Sequence, residues 1–495
     1  MAEQYIIVDL GASNGRVIAA NVAGGTFTFD VVYRFAHEPV FLNDGELCWD
    51  LPRIFHEIKQ GLKLALGKYP NARSVGIDTF GCDFGFLDAQ GRLLGYPLCY
   101  RDSAQHEAAA QLHALLSEQE LFSLSQGPCN RIMGIYKLFQ LMKNNRLEYR
   151  EAKHLLMLPD LLNYLLTGRI SNEFTNATMT LLVNQYTRDW EPEIPERLGL
   201  RRDILGPITE PGTVLGPLRD TVCRELDVPP IPVVVCATHD TASAVAGVPV
   251  TRPDKNWGFV SLGTWALAGI ERPEPLVSPE LVDLEFGNEG GVMGRSMLLK
   301  NINGLWVIQQ CRSAWSFGQG GELSWNEISA RAAEASEMES LFICDDPRFQ
   351  AVQSDMPAVV RDYCRETGQP VPERLGEIAC CVYRSLACRI AYCFGRALDV
   401  IGEKLDCLHV LGGGTKNAML CQWIANAMGI PVIAGPTETT AVGNLIFQML
   451  ADGRIGSLSE GRAMCAASND LLFYEPAEQA QWKGIMDRYR ALVEG

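Results

Sequence analysis

The run Thr238-His239-Asp240-Thr241 follows an apolar stretch, residues 232–236, that reads as a buried strand, and precedes a small-residue stretch, 242–246, that reads as a helix. A strand-to-helix corner projects a side chain beyond the end of a sheet, where ligands collect. Asp240 there can accept the proton of an attacking hydroxyl, and a positioned base of this kind contributes about 10²–10⁴-fold in rate. The same aspartate suits a helix N-cap, with Thr241 entering the helix, and both roles can hold together. A second run, Gly76-Ile77-Asp78-Thr79-Phe80-Gly81-Cys82-Asp83-Phe84, closes another apolar strand. Gly81 and Asp83 are candidates to meet ligand hydroxyls, and Phe80 to pack on an apolar ligand face. A carboxylate that loses its hydroxyl partner is left unpaired, which makes such a contact selective. Tyr100-Arg101-Asp102 offers further polar contacts, although Asp102 reads first as a surface or ion-pair residue.

Three turns suit phosphate and nucleotide. Asp9-Leu10-Gly11-Ala12-Ser13-Asn14-Gly15-Arg16 lies between strand-like runs. Its small residues let the backbone approach an anion, Ser13 and Asn14 add donors, and Arg16 adds a positive charge. Asp9, ending its strand, suits Mg2+ held through water, because that ion keeps several of its waters. An ordinary hairpin with a capped aspartate has the same local signature. Ser261-Leu262-Gly263-Thr264 opens the second half of the chain in the corresponding place. Two opposed turns of this kind can grip one polyphosphate. Leu411-Gly412-Gly413-Gly414 follows a strand and precedes a helix, and its glycines permit close approach of a base or ribose. The chain has no Walker A motif, and this run lacks the GxGxxG spacing and its acidic partner, so a nucleotide is held here without a P-loop.

The elements that must position these residues follow one order twice. Residues 5–9, 16–21 and 27–35 read as strands, 51–66 as a helix and 74–78 as a buried strand; helical patterns fill most of 103–167. The order restarts near residue 257, with strands at 257–261 and 265–270, a long helix over 373–400 and a strand at 405–411. A helix at 417–428, a strand at 431–434 and a closing helix at 438–450 complete it. The spacing predicts two α/β domains, 1–248 and 249–495, with a linker in 247–256 and a cleft between the lobes. Sugar binding, the first phosphate turn and the base fall in the first domain. The second phosphate turn and adenosine binding fall in the second.

The formal net charge of -16 is spread rather than blocked, which disfavours nucleic acid as a partner. The 16 cysteines include no zinc-like spacing and many lie in apolar helical stretches, so they read as buried reduced thiols in a reducing cytoplasm. The amino terminus runs straight into a strand, and no apolar span reaches the ~18 residues of a membrane helix. The expected protein is cytoplasmic, a monomer or homodimer, with small-molecule partners. Residues 313–337 carry no recognisable chemistry.

Taken in order, these motifs resemble the FGGY carbohydrate kinases, and among them most the kinases of L-rhamnulose. The resemblance includes Leu158-Pro159-Asp160, Thr175-Asn176-Ala177-Thr178, Asn288-Glu289-Gly290-Gly291, and Lys300-Asn301-Ile302 with Gly304-Leu305-Trp306, and it spans nearly the whole chain. It implies two ribonuclease-H-like domains of the actin-like ATPase class flanking a central cleft, with ATP and Mg2+ as cofactors. It also implies Asp240 as base, with His239 and Thr241 beside it and Gly81 near the sugar. The ATP contacts it implies run from Ala12 to Arg16 and include Thr264, Asn301, Gln309 and Gly413. The chain departs from the pattern at Phe80, where Trp is usual, and at Leu262, where a small hydroxyl residue is usual.

The expected reaction is phosphorylation of L-rhamnulose at its 1-hydroxyl, giving L-rhamnulose 1-phosphate and ADP in L-rhamnose catabolism. A kinase for another ketose, such as L-fuculose or L-ribulose, is the nearest alternative. A nucleotide-dependent switch or a sugar-responsive regulator of the same fold needs no sugar base, and Asp240 beside the hydroxyl-reading candidates argues against both.

Overall fold

The computed structural model describes residues 2–42, 45–103, 105–252, 255–319 and 321–495; Pro253 of the expected linker lies outside the described residues. By packing, the chain sorts into two units. The first takes Met1–Thr251, Glu271–Leu298 and Glu438–Ser468, and the second Arg252–Ile270, Leu299–Thr437 and Asn469–Gly495. The boundary at 251/252 lies near the expected 248/249, and two later segments return to the first unit.

The first unit is built on six strands: β1 (Glu3–Leu10), β2 (Asn14–Ala23), β3 (Thr26–Ala36), β4 (Val75–Thr79), β5 (Thr213–Pro217) and β6 (Pro232–Val235), in the order β5-β6-β4-β1-β2-β3. β1 and β4 are parallel neighbours and nearly continuous apolar runs, as a sheet covered on both faces requires. Helix α1 (Leu51–Lys68) starts where the Asp50 side chain accepts from Arg53 N at 3.2 Å. Its Leu51, Ile54, Ile58, Leu62 and Ala65 recur at helical spacing and join the core formed with Ile6, Val8 and Val75. The helical pattern over 103–167 is broken by a strand, His154–Met157, which pairs antiparallel with Phe84–Leu87. Its sequence, His-Leu-Leu-Met, continues an apolar run into α2 (Leu158–Thr167), so periodicity alone does not separate the two. Helix α3 (Asp240–Ala246) follows β6.

The second unit repeats the plan with β7 (Trp257–Leu262), β8 (Trp265–Arg272), β9 (Ser296–Asn303), β10 (Cys407–Leu411), β11 (Val432–Ala434) and β12 (Leu472–Tyr474), in the order β9-β8-β7-β10-β11-β12. In each unit the first strand of an antiparallel hairpin pairs in parallel with a later strand: Asp9 opposes Asp78, and Ser261 opposes Leu411. Helix α4 (Leu375–Ile401) is long and apolar enough to cross a membrane, which the sequence reading overlooked, but 89% of its most apolar window is buried inside the protein. Helix α5 (Ala418–Met428) follows the glycine run. Among the described residues none of the 16 cysteines forms a disulfide, and of them only Cys129, Cys223 and Cys407 are not fully buried.

The closing helix α6 (Thr439–Ala451) packs in the first unit, not with the strands that precede it. Asn444 Nδ2 donates to Asp78 Oδ2 at 2.6 Å, and Gln448 Nε2 donates to the Ile6 carbonyl at 2.9 Å. The α3–α6 crossing is backbone on backbone: a Cβ on Gly443 would lie 1.9 Å from the Ser243 carbonyl oxygen.

Candidate active site

The first unit assembles a carboxylate cluster at the ends of its parallel strands. Asp9, next to last in β1, lies opposite Asp78 in β4, and both are buried. Arg16, across the hairpin from Asp9, forms ion pairs with Asp9 and with Glu438, the latter at 2.6 Å. Its charge is thereby committed to two carboxylates, so Arg16 orients Asp9 rather than standing free for phosphate. Burial keeps the Asp9 carboxyl above its usual range in spite of Arg16. Asp78 is pushed well up by burial and then by Asp9, and its Oδ1 has no hydrogen-bond partner among the described residues. A buried oxygen of this kind calls for a bound water or ion. Among the described residues no three His, Cys, Asp or Glu groups form a cage for a metal. Asp9 and Asp78 suit a hydrated divalent cation rather than a directly ligated one. In the turn itself Ser13 and Asn14 are exposed, Ala12 is half-buried and Gly15 is buried. His37 braces the turn, its backbone N–H donating to the Ser13 carbonyl at 3.1 Å and its Nε2 lying 2.8 Å from the Gly11 carbonyl oxygen.

Asp240 is the first residue of α3, and the N-cap position belongs to His239, so the capping role weighed for Asp240 is not the one it takes. Its carboxylate accepts from Thr241 Oγ1 at 3.4 Å and keeps 37% side-chain exposure. Burial by the surrounding atoms and then repulsion from Asp9 push its pKa up to about 7. Solvent still reaches the carboxylate, which is 37% exposed, and screens part of that effect. His239 Nε2 lies 3.5 Å from Asp240 Oδ1. A Cβ on Gly81 would lie 3.0 Å from Cδ2 and 3.1 Å from Nε2 of that imidazole, so only glycine leaves the ring edge uncovered.

Glu173, which the sequence reading did not single out, holds this corner in place. It caps the short helix Phe174–Ala177 by accepting from Thr175 N and Asn176 N. It also accepts from Thr238 N at 3.0 Å and Thr238 Oγ1 at 2.7 Å. One buried carboxylate thus joins two motif runs more than sixty residues apart, and no local pattern announces it.

Asp83 departs from its expected place against sugar hydroxyls. It is fully buried, ion-paired with buried Lys137, and accepts from Trp49 Nε1 at 2.5 Å and Tyr100 N at 3.2 Å. Burial outweighs these partners and holds its carboxyl above the usual range. Such an acid fixes a wall rather than reading a ligand. Trp49, Phe80 and Tyr100 form that wall, with Trp49 and Phe80 ring centroids 4.7 Å apart. Phe80 is therefore packed on aromatics, and the signal for Trp49 and Lys137 was absent because neither belongs to a recognised run. Asp102 is buried and accepts from Leu47 N at 2.8 Å, a structural tie.

The second unit gathers its own candidates. Thr264 Oγ1 donates to Gln309 Oε1 at 3.1 Å, and the Thr264 carbonyl accepts from Gly304 N and Trp306 N at 3.1 and 3.2 Å. The Gly-Thr turn is thereby locked to the start of the helix Trp306–Gln319. Asn301 on β9 is exposed. After β10 the glycine run does not enter α5 directly. Gly413–Lys416 forms a 3-10 turn, and Asn417 then caps α5 by accepting from Leu420 N at 3.0 Å. Gly413 is exposed with open space above its Cα, whereas a Cβ on Gly414 would meet the Leu262 side chain at 2.4 Å. Leu262, unusual for the motif, fills the space that Gly414 leaves.

Two family descriptions match the chain: the N-terminal domain of the FGGY family of carbohydrate kinases over residues 4–247 and its C-terminal domain over 258–451. A protein of Bacteroides thetaiotaomicron named rhamnulokinase is 36% identical over 493 residues, covering 100% of both chains. One of Oceanobacillus iheyensis with the same name is 36% identical over 474 residues, 96% of this chain and 98% of its own. Among solved structures, a gluconate kinase from Lactobacillus acidophilus superposes with a TM-score of 0.82 at 14% identity, covering 100% of this chain and 98% of its own. A glycerol kinase of Plasmodium falciparum with ADP does so with a TM-score of 0.78 at 15% identity, over 99% and 98%. These superpositions show the fold, two ribonuclease-H-like domains of the actin-like ATPase class. With hairpin turns, carboxylate corner and glycine run all in place, the chain belongs to the FGGY family of carbohydrate kinases.

Proposed function

We propose that this kinase transfers the γ-phosphoryl group of ATP to the 1-hydroxyl of L-rhamnulose, forming L-rhamnulose 1-phosphate and ADP in L-rhamnose breakdown. The sugar assignment is supported by relatives named rhamnulokinase that are 36% identical end to end. The observation that carries the chemistry is Asp240, partly exposed beside the His239 imidazole, whose edge the bare Gly81 leaves uncovered.

Asp240 takes the proton of the 1-hydroxyl as that oxygen bonds to the γ-phosphorus, and the bond from that phosphorus to the β-bridging oxygen breaks, releasing ADP. A carboxyl with its pKa raised to about 7 is a stronger base than an ordinary aspartate, and at neutral pH a large fraction remains ionised. His239, buried and pushed down to about 4 by desolvation, stays neutral and hydrogen-bonds the sugar. Phosphoryl transfer asks little more of the protein than alignment and charge neutralisation. The turn from Ala12 to Asn14, with Gly15, and in the second unit Thr264, Asn301, Gln309 and Gly413, take the nucleotide. Asp9, with Asp78 opposite it on the neighbouring strand, would hold Mg2+ through water, and the ion would neutralise phosphate charge.

Residues 1–248 thus carry sugar, base and first phosphate turn, and 249–495 the second turn and adenosine. A coupled ADP-release screen over ketoses, aldoses and polyols tests the reading. The highest kcat/KM is expected for L-rhamnulose; a preference for another ketose would replace the substrate and leave the kinase, and no sugar-dependent ADP would remove both.

A further inference from the structure

Glu289 is absorbed by none of these roles. It lies in the strand Gly287–Gly290 of the first unit, 3% exposed. The strand is pinned on both sides of it. Asn288 Nδ2 donates to the Gln126 and Leu276 carbonyls, each at 2.8 Å, and Gly290 N donates to Thr178 Oγ1 at 3.0 Å. The carboxyl is therefore carried on a fixed backbone and directed at one target. Glu289 Oε2 lies 3.5 Å from His239 Nδ1, and neither atom has another hydrogen-bond partner among the described residues. Two buried polar atoms that face each other and nothing else are costly unless each serves the other. A small turn of the imidazole closes the contact, and catalytic hydrogen bonds are commonly long before substrate binds.

Glu289, His239 and Asp240 thus form a row, with Nδ1 toward Glu289 and Nε2 toward Asp240 and the bare Gly81. Besides His239, the titratable groups that face Glu289 are Asp240 at the start of α3 and the Cys82 thiol after β4. We propose that Glu289 is a positioning residue acting through His239: its carboxyl faces Nδ1 and keeps the ring proton on Nε2, making that nitrogen the donor to the sugar. Burial, with the Asp240 charge as a second cause, pushes Glu289 up to about 8. At neutral pH it is a neutral acid, and its O–H meets the Nδ1 lone pair. Asp240, the more exposed of the two acids, carries the negative charge the base needs. Specificity follows from the same geometry, because a ketose lacking an oxygen at Nε2 leaves that donor unpaired. The assignment rests on Asp240 being the base of a sugar kinase.

The test combines nitrogen-15 NMR of labelled histidine with kinetics of Glu289→Gln and Glu289→Ala. In the wild type the His239 ring proton is expected on Nε2; finding it on Nδ1 overturns the proposal without any variant. Glu289→Gln retains a donor, so it is expected to keep the Nε2 proton and the sugar KM within about threefold. Glu289→Ala is expected to lose the fixed tautomer and raise the sugar KM about 10- to 100-fold, with the ATP KM unchanged. An Ala variant that keeps the tautomer and the sugar KM, or raises both KM values alike, shows a structural residue only. A Gln variant as impaired as Ala shows that the carboxylate, not a donor, is needed, and also overturns the proposal. The spectrum is recorded without sugar. A protein that phosphorylates no ketose yet holds the proton on Nε2 therefore removes the functional reading and leaves the proton placement standing.

Discussion

Asp240 and Asp83 are both acids with raised pKa values, yet their surroundings give them opposite roles. Asp240 meets solvent and is hydrogen-bonded by Thr241 alone, through its backbone and weakly through its hydroxyl, so lone pairs remain for a proton. Replacing it with Asn is expected to leave ATP and sugar binding near wild type in calorimetry and to lower kcat by about 10²-fold or more. The sign of the pH effect follows from the direction of its shift. The base must be unprotonated, burial raises its pKa to about 7, and so kcat is expected to rise with pH and level off above that value. An acid limb at an ordinary aspartate pKa would assign the base elsewhere. Asp83 instead spends its oxygens on Lys137, Trp49 and Tyr100. Removing one member of a buried pair strands the other, at roughly 3–5 kcal/mol. Lys137→Met should lose about that much in urea unfolding, and adding Asp83→Asn should recover a substantial part of it. Additive losses in the double variant would mean the two do not act as a pair.

Between residues and molecule, the elements were legible wherever periodicity and small-residue punctuation carried them. The β1–β2 hairpin with its turn at 11–13, the strand before Gly81 and the corner at Asp240 stand where hydrophobic runs and glycines placed them. The strand His154–Met157 was missed because its apolar residues merge with those of α2. What positions the elements was not legible, because it depends on single polar side chains distant in sequence. Glu173 is the clearest case: the spacing of Thr175 or Thr238 from it says nothing of a shared carboxylate. Glu173→Gln keeps shape but turns an NH2 toward at least one of the donors that Glu173 accepts from. A loss of about 2–4 kcal/mol in stability is expected, consistent with one or two unsatisfied buried donors. A fall in kcat larger than the rise in sugar KM should accompany it, because the displaced element carries Asp240. An unchanged kcat in a folded Gln variant would show that α3 is held by other contacts.

At the scale of the molecule, the order of the chain and the order of packing part company. The pattern of strands and helices suggested a split at 248/249, yet α6, read as the closing helix of the second half, supplies Asn444 to Asp78, Gln448 to β1 and Gly443 to the face of α3. Arg462, from the helix Leu458–Ser468, donates to the Val245 and Ala246 carbonyls and to Glu271. A fragment ending at 248 therefore exposes one face of β1 and β4 and strips Asp78 of its amide donor, although its sequence contains every catalytic candidate of the first unit. Burial of that face is worth about 25 cal/mol per Å² of apolar surface, which for a helix of this length is comparable to the whole stability of a domain. Residues 1–248 expressed alone are expected to unfold at much lower urea than the full chain, or to aggregate. The same fragment fused through a flexible linker to residues 438–468 should regain a cooperative transition. If the bare fragment unfolds cooperatively at the midpoint of the full chain, the returning segment only decorates a domain that is complete without it.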